Sequence, residues 1–405
     1  MYFVFFIIFL LCLGGLGGSF QPSRLLILVI PLFLNVFINK THLSYNKTIQ
    51  FGLKTYFIWL VYGVISLFWS ADPVVGLNSE LIVMAIGMLS LLFFPLLLKN
   101  DKKSLLIIRN GWILGLCFTI PFAIYEIVTM THFAYSEEDR LIGGIGIYAP
   151  FAAVFFGNYN NYCVYICLCL PMIFWALMDD KNKVRKILYM ILLGVSILII
   201  FINTNRTSMV VVAIYFLSLL RLKARNIFAV LGLTALFLVS YKFLPNNITD
   251  NIEILFDNRV NVDYNEDTSA NIRKGVFLSG IDFLFETNGF GVGAGAFETH
   301  MAKAPRHQGI INPHNFFLEI VSQYGIFIFF LFMIWLFLIM RKIYNNAYIN
   351  SSLKRIFYAS VIVIPIIGVI NSDSLGFTYW WVYISSLAVI SSIDLNTIKN
   401  DSQYK

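Results

Sequence analysis

The chain has 405 residues, 59 % of them apolar, 17 % aromatic and only 13 % charged, with a mean hydropathy of +0.77. A water-soluble domain is nearer about 45–50 % apolar and about 25 % charged, so a soluble enzyme is excluded. So is a single anchor carrying a large water-exposed domain, because apolar runs recur from Met1 to Ile393; the net charge of +7 then reports membrane topology, and no nucleic-acid partner is expected.

A membrane span needs about 20 mostly apolar residues. Twelve candidates follow in chain order: 2–18, 23–39, 54–69, 80–98, 106–129, 161–178, 187–203, 208–220, 227–243, 316–340, 356–371 and 378–393. The first lacks a basic leader and a small-residue cleavage site, so it reads as a span rather than a signal peptide. With the N-terminus cytoplasmic, 20 of the 29 Lys and Arg residues fall in inside segments, and the alternation holds throughout. The expectation is an all-α polytopic integral membrane protein: one transmembrane domain over 1–405, about 12 transmembrane helices, and both termini cytoplasmic. Cys12, Cys117, Cys163, Cys167 and Cys169 all lie in apolar runs and read as small packing residues.

Two outside segments exceed a simple turn, 130–160 and the long extracytoplasmic loop 244–315 between spans 9 and 10. No inside loop is that large and no G-x-x-x-x-G-K-[ST] occurs, so any chemistry is expected to face outward. His132, His300, His307 and His314 fall on that side. The last three are seven residues apart, but Pro305, Gly309 and Pro313 prevent one helix from aligning them as metal ligands.

In Asn312-Pro313-His314-Asn315-Phe316, Pro313 reads as the start of the tenth span, with His314 in its first turn. A helix N-terminus disfavours imidazolium, which suits a general base; the alternative is a polar residue marking the water interface. Arg206, in Asn203-Thr204-Asn205-Arg206-Thr207-Ser208 between spans seven and eight, has the guanidinium fork that grips phosphate oxygens, or else snorkels to lipid headgroups. In the long loop a helix opens near Asn271 with Phe277, Ile281, Leu284 and Phe285 on one stripe. It reads as an amphipathic membrane-surface helix whose Arg273 and Lys274 face a lipid-linked anion or solvent. The run Gly289-Phe290-Gly291-Val292-Gly293-Ala294-Gly295 reads as a tight turn near the site, since no strand precedes it as a nucleotide fold requires. Residues 137–161 add Arg140, a glycine-rich run, and Gly157-Asn158-Tyr159-Asn160-Asn161, whose amides suit sugar hydroxyls. Asp373 orients a base, pairs Arg206 or is a plain loop carboxylate. Glu126 and Glu319 are the carboxylates best placed near the outer span ends.

Taken in order, Phe68-Trp69-Ser70-Ala71-Asp72-Pro73, Gly157 to Asn161, Asn205-Arg206-Thr207-Ser208, Arg273, Gly289 to Phe297 and Pro313-His314-Asn315 resemble the O-antigen ligase and polysaccharide polymerase family (WaaL and Wzy types). The likeness covers about 55 to 380. The ligase-type signature, His-Asn and then Gly after nine residues, fits His314, Asn315 and Gly325, whereas its further small or hydroxyl position holds Ile328.

The resemblance implies a GT-C-like, inverting glycosyltransferase that needs no metal, nucleotide or other cofactor. Its implied partners are an undecaprenyl-diphosphate-linked oligosaccharide donor, a glycan acceptor, the lipid bilayer and a chain-length regulator. It implies catalytic roles for His314, Arg206 and Arg273, and substrate binding by Arg140, Asn158, Asn161, Arg259, His307, Asn315 and Asp373. The expected function is a surface-polysaccharide polymerase of the bacterial inner membrane, with the site facing the periplasm or exterior. A ligase onto lipid A core, a flippase or other transporter, and a non-catalytic assembly subunit are the competing readings.

Overall fold

The computed structural model describes residues 2–16, 20–33, 43, 45–133, 151–219, 269–306, 311–346, 351–369 and 375–393, and all regular structure among them is helical. In chain order the helices are α1 (Tyr2–Leu10), α2 (Pro22–Val29), α3 (Lys47–Ser66), α4 (Pro73–Leu97), α5 (Lys102–Thr129), α6 (Tyr159–Asp179) and α7 (Lys183–Ile202). They continue with α8 (Arg206–Leu219), α9 (Ser269–Glu286), α10 (Phe297–Met301), α11 (Phe316–Asn345), α12 (Ser351–Ile367) and α13 (Thr378–Ser392). Of these, α3, α4, α5, α6, α7 and α11 are long and apolar enough to cross a membrane, while α1, α2 and α8 are apolar but shorter. This is the architecture of a polytopic helical membrane protein. The ninth expected span, 227–243, lies outside the described residues.

Short polar residues open the helices. Asn46 caps α3, Asp101 caps α5, Asn158 caps α6 and Asn182 caps α7, each side-chain oxygen accepting backbone N–H groups that the first turn leaves unpaired. Two helices form the centre: α6 is buried from Asn161 to Ala176 and α13 over its whole length, α13 packing on α4 and α11. By contrast α7 presents Val184, Ile187, Leu188 and Ile191 outward, the apolar flank a bilayer would cover. Glycines let helix backbones approach closely, as where Gly87 of α4 lies against the Trp381 ring of α13.

The ends that the sequence alternation puts outside meet one another. Gly15 N donates to Phe155 O at 2.6 Å, Phe316 N to Gly368 O at 2.8 Å, and the buried Arg24 guanidinium to Thr378 Oγ1 at 2.8 Å and Gly376 O at 2.7 Å. The opposite end has its own ties. Asp179 accepts Lys102 at 3.1 Å and Arg109 at 3.4 Å, and Arg355 reaches Ser218 O at 2.8 Å. Among the described residues these two sets of ties lie at opposite helix ends.

Two expected elements differ in detail. The tenth span is not a single rod: α11 breaks at Gly325, whose φ of +78° is left-handed. The break is closed by the glycine run, with Val292 N donating to Ser322 O at 2.8 Å, Gly293 N to Gln323 O at 3.0 Å, and Ile326 N to Gly289 O at 3.0 Å. Backbone groups freed by the kink are thus satisfied inside the protein, as membrane depth demands. A Cβ on Gly291, itself at φ +83°, would sit 2.6 Å from the Gln323 carbonyl. Gly291→Ala is accordingly expected to destabilise by about 1–3 kcal/mol from backbone strain alone, read as a lower thermal midpoint in detergent; an unchanged midpoint contradicts the clasp.

The second difference is α9. It exists where the sequence placed it, but it packs on α10 and α11 through Val276, Gly280 and Phe283, against Val292, Phe297, Met301, Leu318 and Val321. Of the expected stripe, Ile281 and Leu284 pack partly buried against this cluster, while Phe277 and Phe285 are 46 % and 74 % exposed.

Candidate functional site

The site end is assembled from three loops, each pinned by identifiable bonds. First, residues 151–156 form a buried irregular segment in which Val154 has a φ of +51°. Its N–H groups are gathered by Glu126, fully buried near the end of α5: Oε2 accepts Ala153 N and Val154 N at 2.7 Å each, and Oε1 accepts Phe133 N at 2.8 Å. A carboxylate at this depth is costly unless every lone pair is engaged, and here three donors converge on it. Glu126→Gln turns one acceptor into a donor facing N–H groups. About 1.5–3 kcal/mol per lost charged hydrogen bond is expected, seen as a clear fall in melting temperature; a midpoint equal to that of the unsubstituted protein would falsify the carboxylate's role as a staple.

Second, the turn Asn203-Thr204-Asn205 lies on that segment. Asn203 exchanges two bonds with Ala152, at 2.8 and 2.9 Å, and Asn205 donates to Asn160 Oδ1 at 2.8 Å while its own oxygen accepts Ser208 N at 2.9 Å. Thr204 takes a left-handed φ of +51° to make the turn. Arg206 follows as the first residue of α8, with its side chain exposed at the positive end of the helix. Of the expected sugar-binding amides, Asn158 spends its oxygen capping α6, and the buried Asn161 donates to Phe156 O at 3.4 Å.

Third comes the Pro313-His314-Asn315 step. Helix α11 starts at Phe316, not at Pro313, because Asn315 is the cap: its oxygen accepts Phe317 N at 3.0 Å and Leu318 N at 3.1 Å. His314 therefore precedes the helix rather than sitting in its first turn. It adopts a φ of +46°, a left-handed conformation that is strained for a residue with a Cβ and recurs at functional sites. Its side chain is half-buried, and its Nδ1 has no hydrogen-bond partner among the described residues. Burial, and secondarily the positive charge of Arg273, push the imidazole down from an ordinary 6.5 to about 4. His314 is thus neutral near pH 7, and Arg273, exposed at the start of α9, lies close enough for its field to be felt.

The structure therefore puts Arg273 within electrostatic reach of His314. Arg206 shares the same end, since α12 packs against both α8 and α11 and its Gly368 carbonyl receives Phe316 N. Arg140, Arg259, His307 and Asp373 lie outside the described residues. His132 stacks face-on with Phe151 at 4.0 Å and His300 lies against Phe283 at 5.5 Å. Among the described residues no group of three His, Cys, Asp or Glu side chains converges as a metal cage.

Two sequence marks prove to be partners. Trp69 Nε1 donates to Gly291 O at 3.1 Å, Ser70 Oγ to Ala294 O at 2.6 Å, Ala294 N to Ser66 Oγ at 3.0 Å, and the Tyr62 hydroxyl to Phe290 O. The Phe68-to-Pro73 motif therefore clasps the glycine run, which in turn closes the break in α11. Glu80, which accepts the Tyr324 hydroxyl at 2.6 Å, was missed by sequence reasoning. Its only signal was a carboxylate at the edge of an apolar run.

The fold is that of a polytopic helical membrane protein, with a half-buried histidine within the electrostatic reach of Arg273. Residues 188–333 match the family model described as O-antigen ligase (Wzy_C), a stretch containing Arg206, Arg273 and His314. The chain is also similar to the teichuronic acid biosynthesis protein TuaE of Bacillus subtilis (strain 168), 21 % identical over 329 residues that cover 78 % of this chain and 66 % of that protein. The chain thus spans just under two thirds of that relative's length. Together the two matches support an O-antigen ligase/polymerase-like family, as the motifs suggested.

Proposed function

We propose that the protein is a surface-polysaccharide polymerase of the bacterial cytoplasmic membrane, joining undecaprenyl-diphosphate-linked repeat units on the outer side through twelve spans with both termini cytoplasmic. The observation that carries this reading is the neutral, half-buried His314, its Nδ1 without a partner among the described residues and its ring within the field of Arg273. The acceptor hydroxyl oxygen attacks the anomeric carbon of the donor sugar, its proton passing to His314. The bond between that carbon and the diphosphate oxygen breaks, and undecaprenyl diphosphate leaves with the electron pair, its charge taken up by Arg206 and Arg273. Attack opposite the leaving group inverts the anomeric centre. The diphosphate already activates the sugar and the arginines neutralise the leaving charge, so the scheme calls for no metal, nucleotide or cofactor. The neighbouring Asn158, Asn161 and Asn315 amides, with Arg140, Arg259, His307 and Asp373, serve the sugar and diphosphate in this account, and a chain-length regulator is a further partner.

Transfer onto a lipid A core is the second reading, favoured by the ligase description of the matched family; Ile328, buried in α11 where that signature has a small or hydroxyl residue, weighs against it. Supplying the donor as undecaprenyl diphosphate or as undecaprenyl monophosphate tests the chemistry. Release of undecaprenyl diphosphate from the first, with no turnover of the second, is expected. Equal use of both contradicts the arginine role.

A further inference from the structure

Glu80 is a buried carboxylate that neither the loop staples nor the transfer step explains. It lies in the π-helical turn Gly76–Leu81 of α4, only 6 % exposed. Its Oε2 accepts the hydroxyl of Tyr324, which is 1 % exposed, at 2.6 Å. An ionisable group inside a membrane bundle is expensive and usually functional, and single π turns recur at functional sites. The Tyr324 ring meets Trp59 of α3 edge-on at 5.4 Å.

The location of Tyr324 gives this bond its leverage. Tyr324 is the last residue before the break at Gly325, so it is the foot of the short half-helix Phe316–Tyr324 whose head is the His314–Asn315 step. Backbone bonds hold that half-helix from two directions: Val292 and Gly293 at the foot, Gly368 at the head. The Glu80–Tyr324 bond ties it to α4. A roll released at the foot is carried along the rigid segment, about 1.5 Å per residue, to the imidazole.

We propose that Glu80 is a positioning residue for the transfer: by holding the Tyr324 hydroxyl it fixes the half-helix that sets the location of His314. It touches no substrate and takes no proton. The proposal rests on the reading of His314 as the base, so its test includes a readout that needs no turnover.

The variants are Glu80→Gln, Glu80→Ala, Tyr324→Phe and the Glu80→Ala/Tyr324→Phe pair, purified as full-length protein in lipid nanodiscs. Tyr324→Phe removes one oxygen without a cavity and serves where Glu80→Ala fails to fold. Glu80→Ala and Tyr324→Phe are each expected to lower kcat by about tenfold to 10²-fold, the size of effect that an ångström of misplacement produces. KM for the lipid-linked donor stays within about twofold, and the pair is no slower than either single change. Glu80→Gln retains kcat because its amide oxygen accepts the same hydroxyl.

The second readout uses a Cys117→Ala, His314→Cys background, with labelling by a membrane-impermeant maleimide. Glu80→Ala and Tyr324→Phe shift the labelling rate there, and Glu80→Gln does not. Unchanged kcat and unchanged labelling in Tyr324→Phe overturn the proposal, as does a Glu80→Gln variant as impaired as Glu80→Ala. A protein that shows no transfer at all defeats the enzymatic reading, while labelling still decides whether Glu80 positions residue 314.

Discussion

His314→Ala is expected to lower glycan transfer by about 10²–10⁴-fold, the contribution of one well-placed general base, while donor binding persists. The physical reason is the state of the ring. At neutral pH an imidazole held down to about 4 by burial and by Arg273 is unprotonated, and its buried Nδ1 has no partner among the described residues. The left-handed backbone at His314, followed at once by the Asn315 cap, aims the side chain from a fixed point. The measurement is single-turnover transfer alongside binding of the lipid-linked donor. Loss of binding with unaltered chemistry in the bound fraction contradicts the base assignment.

Arg273→Gln is expected to act twice. It removes one cation from the leaving diphosphate, which costs about 10²–10³-fold in kcat when a preorganised electrostatic contact is lost. It also removes a charge that opposes protonation of His314. The sign follows directly: the base works when neutral, so activity is lost on the acid side as pH falls through the imidazole pKa. In the unsubstituted protein the acid limb of kcat/KM, which reports the free enzyme, is expected near pH 4, well below the ordinary 6.5. Without the Arg273 charge the imidazole holds its proton more readily, and the limb moves to higher pH; burial, the larger cause, keeps it from returning the whole way. An acid limb that stays in place shows that the two residues do not sense one another. Binding of the donor diphosphate to Arg273 would raise the His314 pKa in the same direction, so the substrate strengthens the base as it arrives.

The all-helical, polytopic character was legible because apolar runs of membrane-spanning length recur along the chain, and six described helices are long and apolar enough to cross a membrane. The finer geometry was not, for physical reasons that differ from residue to residue. Pro313 looks like a first helical residue, yet Asn315 makes the stronger start because its oxygen captures two backbone N–H groups. The Trp69-Ser70 motif and the glycine run are each visible in sequence, but their mutual bonds join positions more than two hundred residues apart, and no local pattern carries that contact. On α9 the expected stripe is split: Ile281 and Leu284 join Val276 and Phe283 against the protein while Phe277 and Phe285 stay exposed, because which apolar positions pack depends on what α10 and α11 present. Glu126 was noticed as a carboxylate in a span, but two of its three backbone donors, Ala153 and Val154, lie 27 and 28 residues further along the chain. Glu80 was missed because the apolar run reads as a span over 80–98, whereas helix α4 begins at Pro73 and the carboxylate lies inside the bundle.

The most direct test of the central claim is polymerisation by purified protein supplied with a synthetic undecaprenyl-diphosphate oligosaccharide alone, in the presence of EDTA, with products resolved on a gel beside the His314→Ala variant. The account predicts a ladder spaced by the repeat unit from the unsubstituted protein and none from the variant. A ladder that persists in His314→Ala, or transfer that appears only when a lipid A core is added or a metal restored, contradicts it.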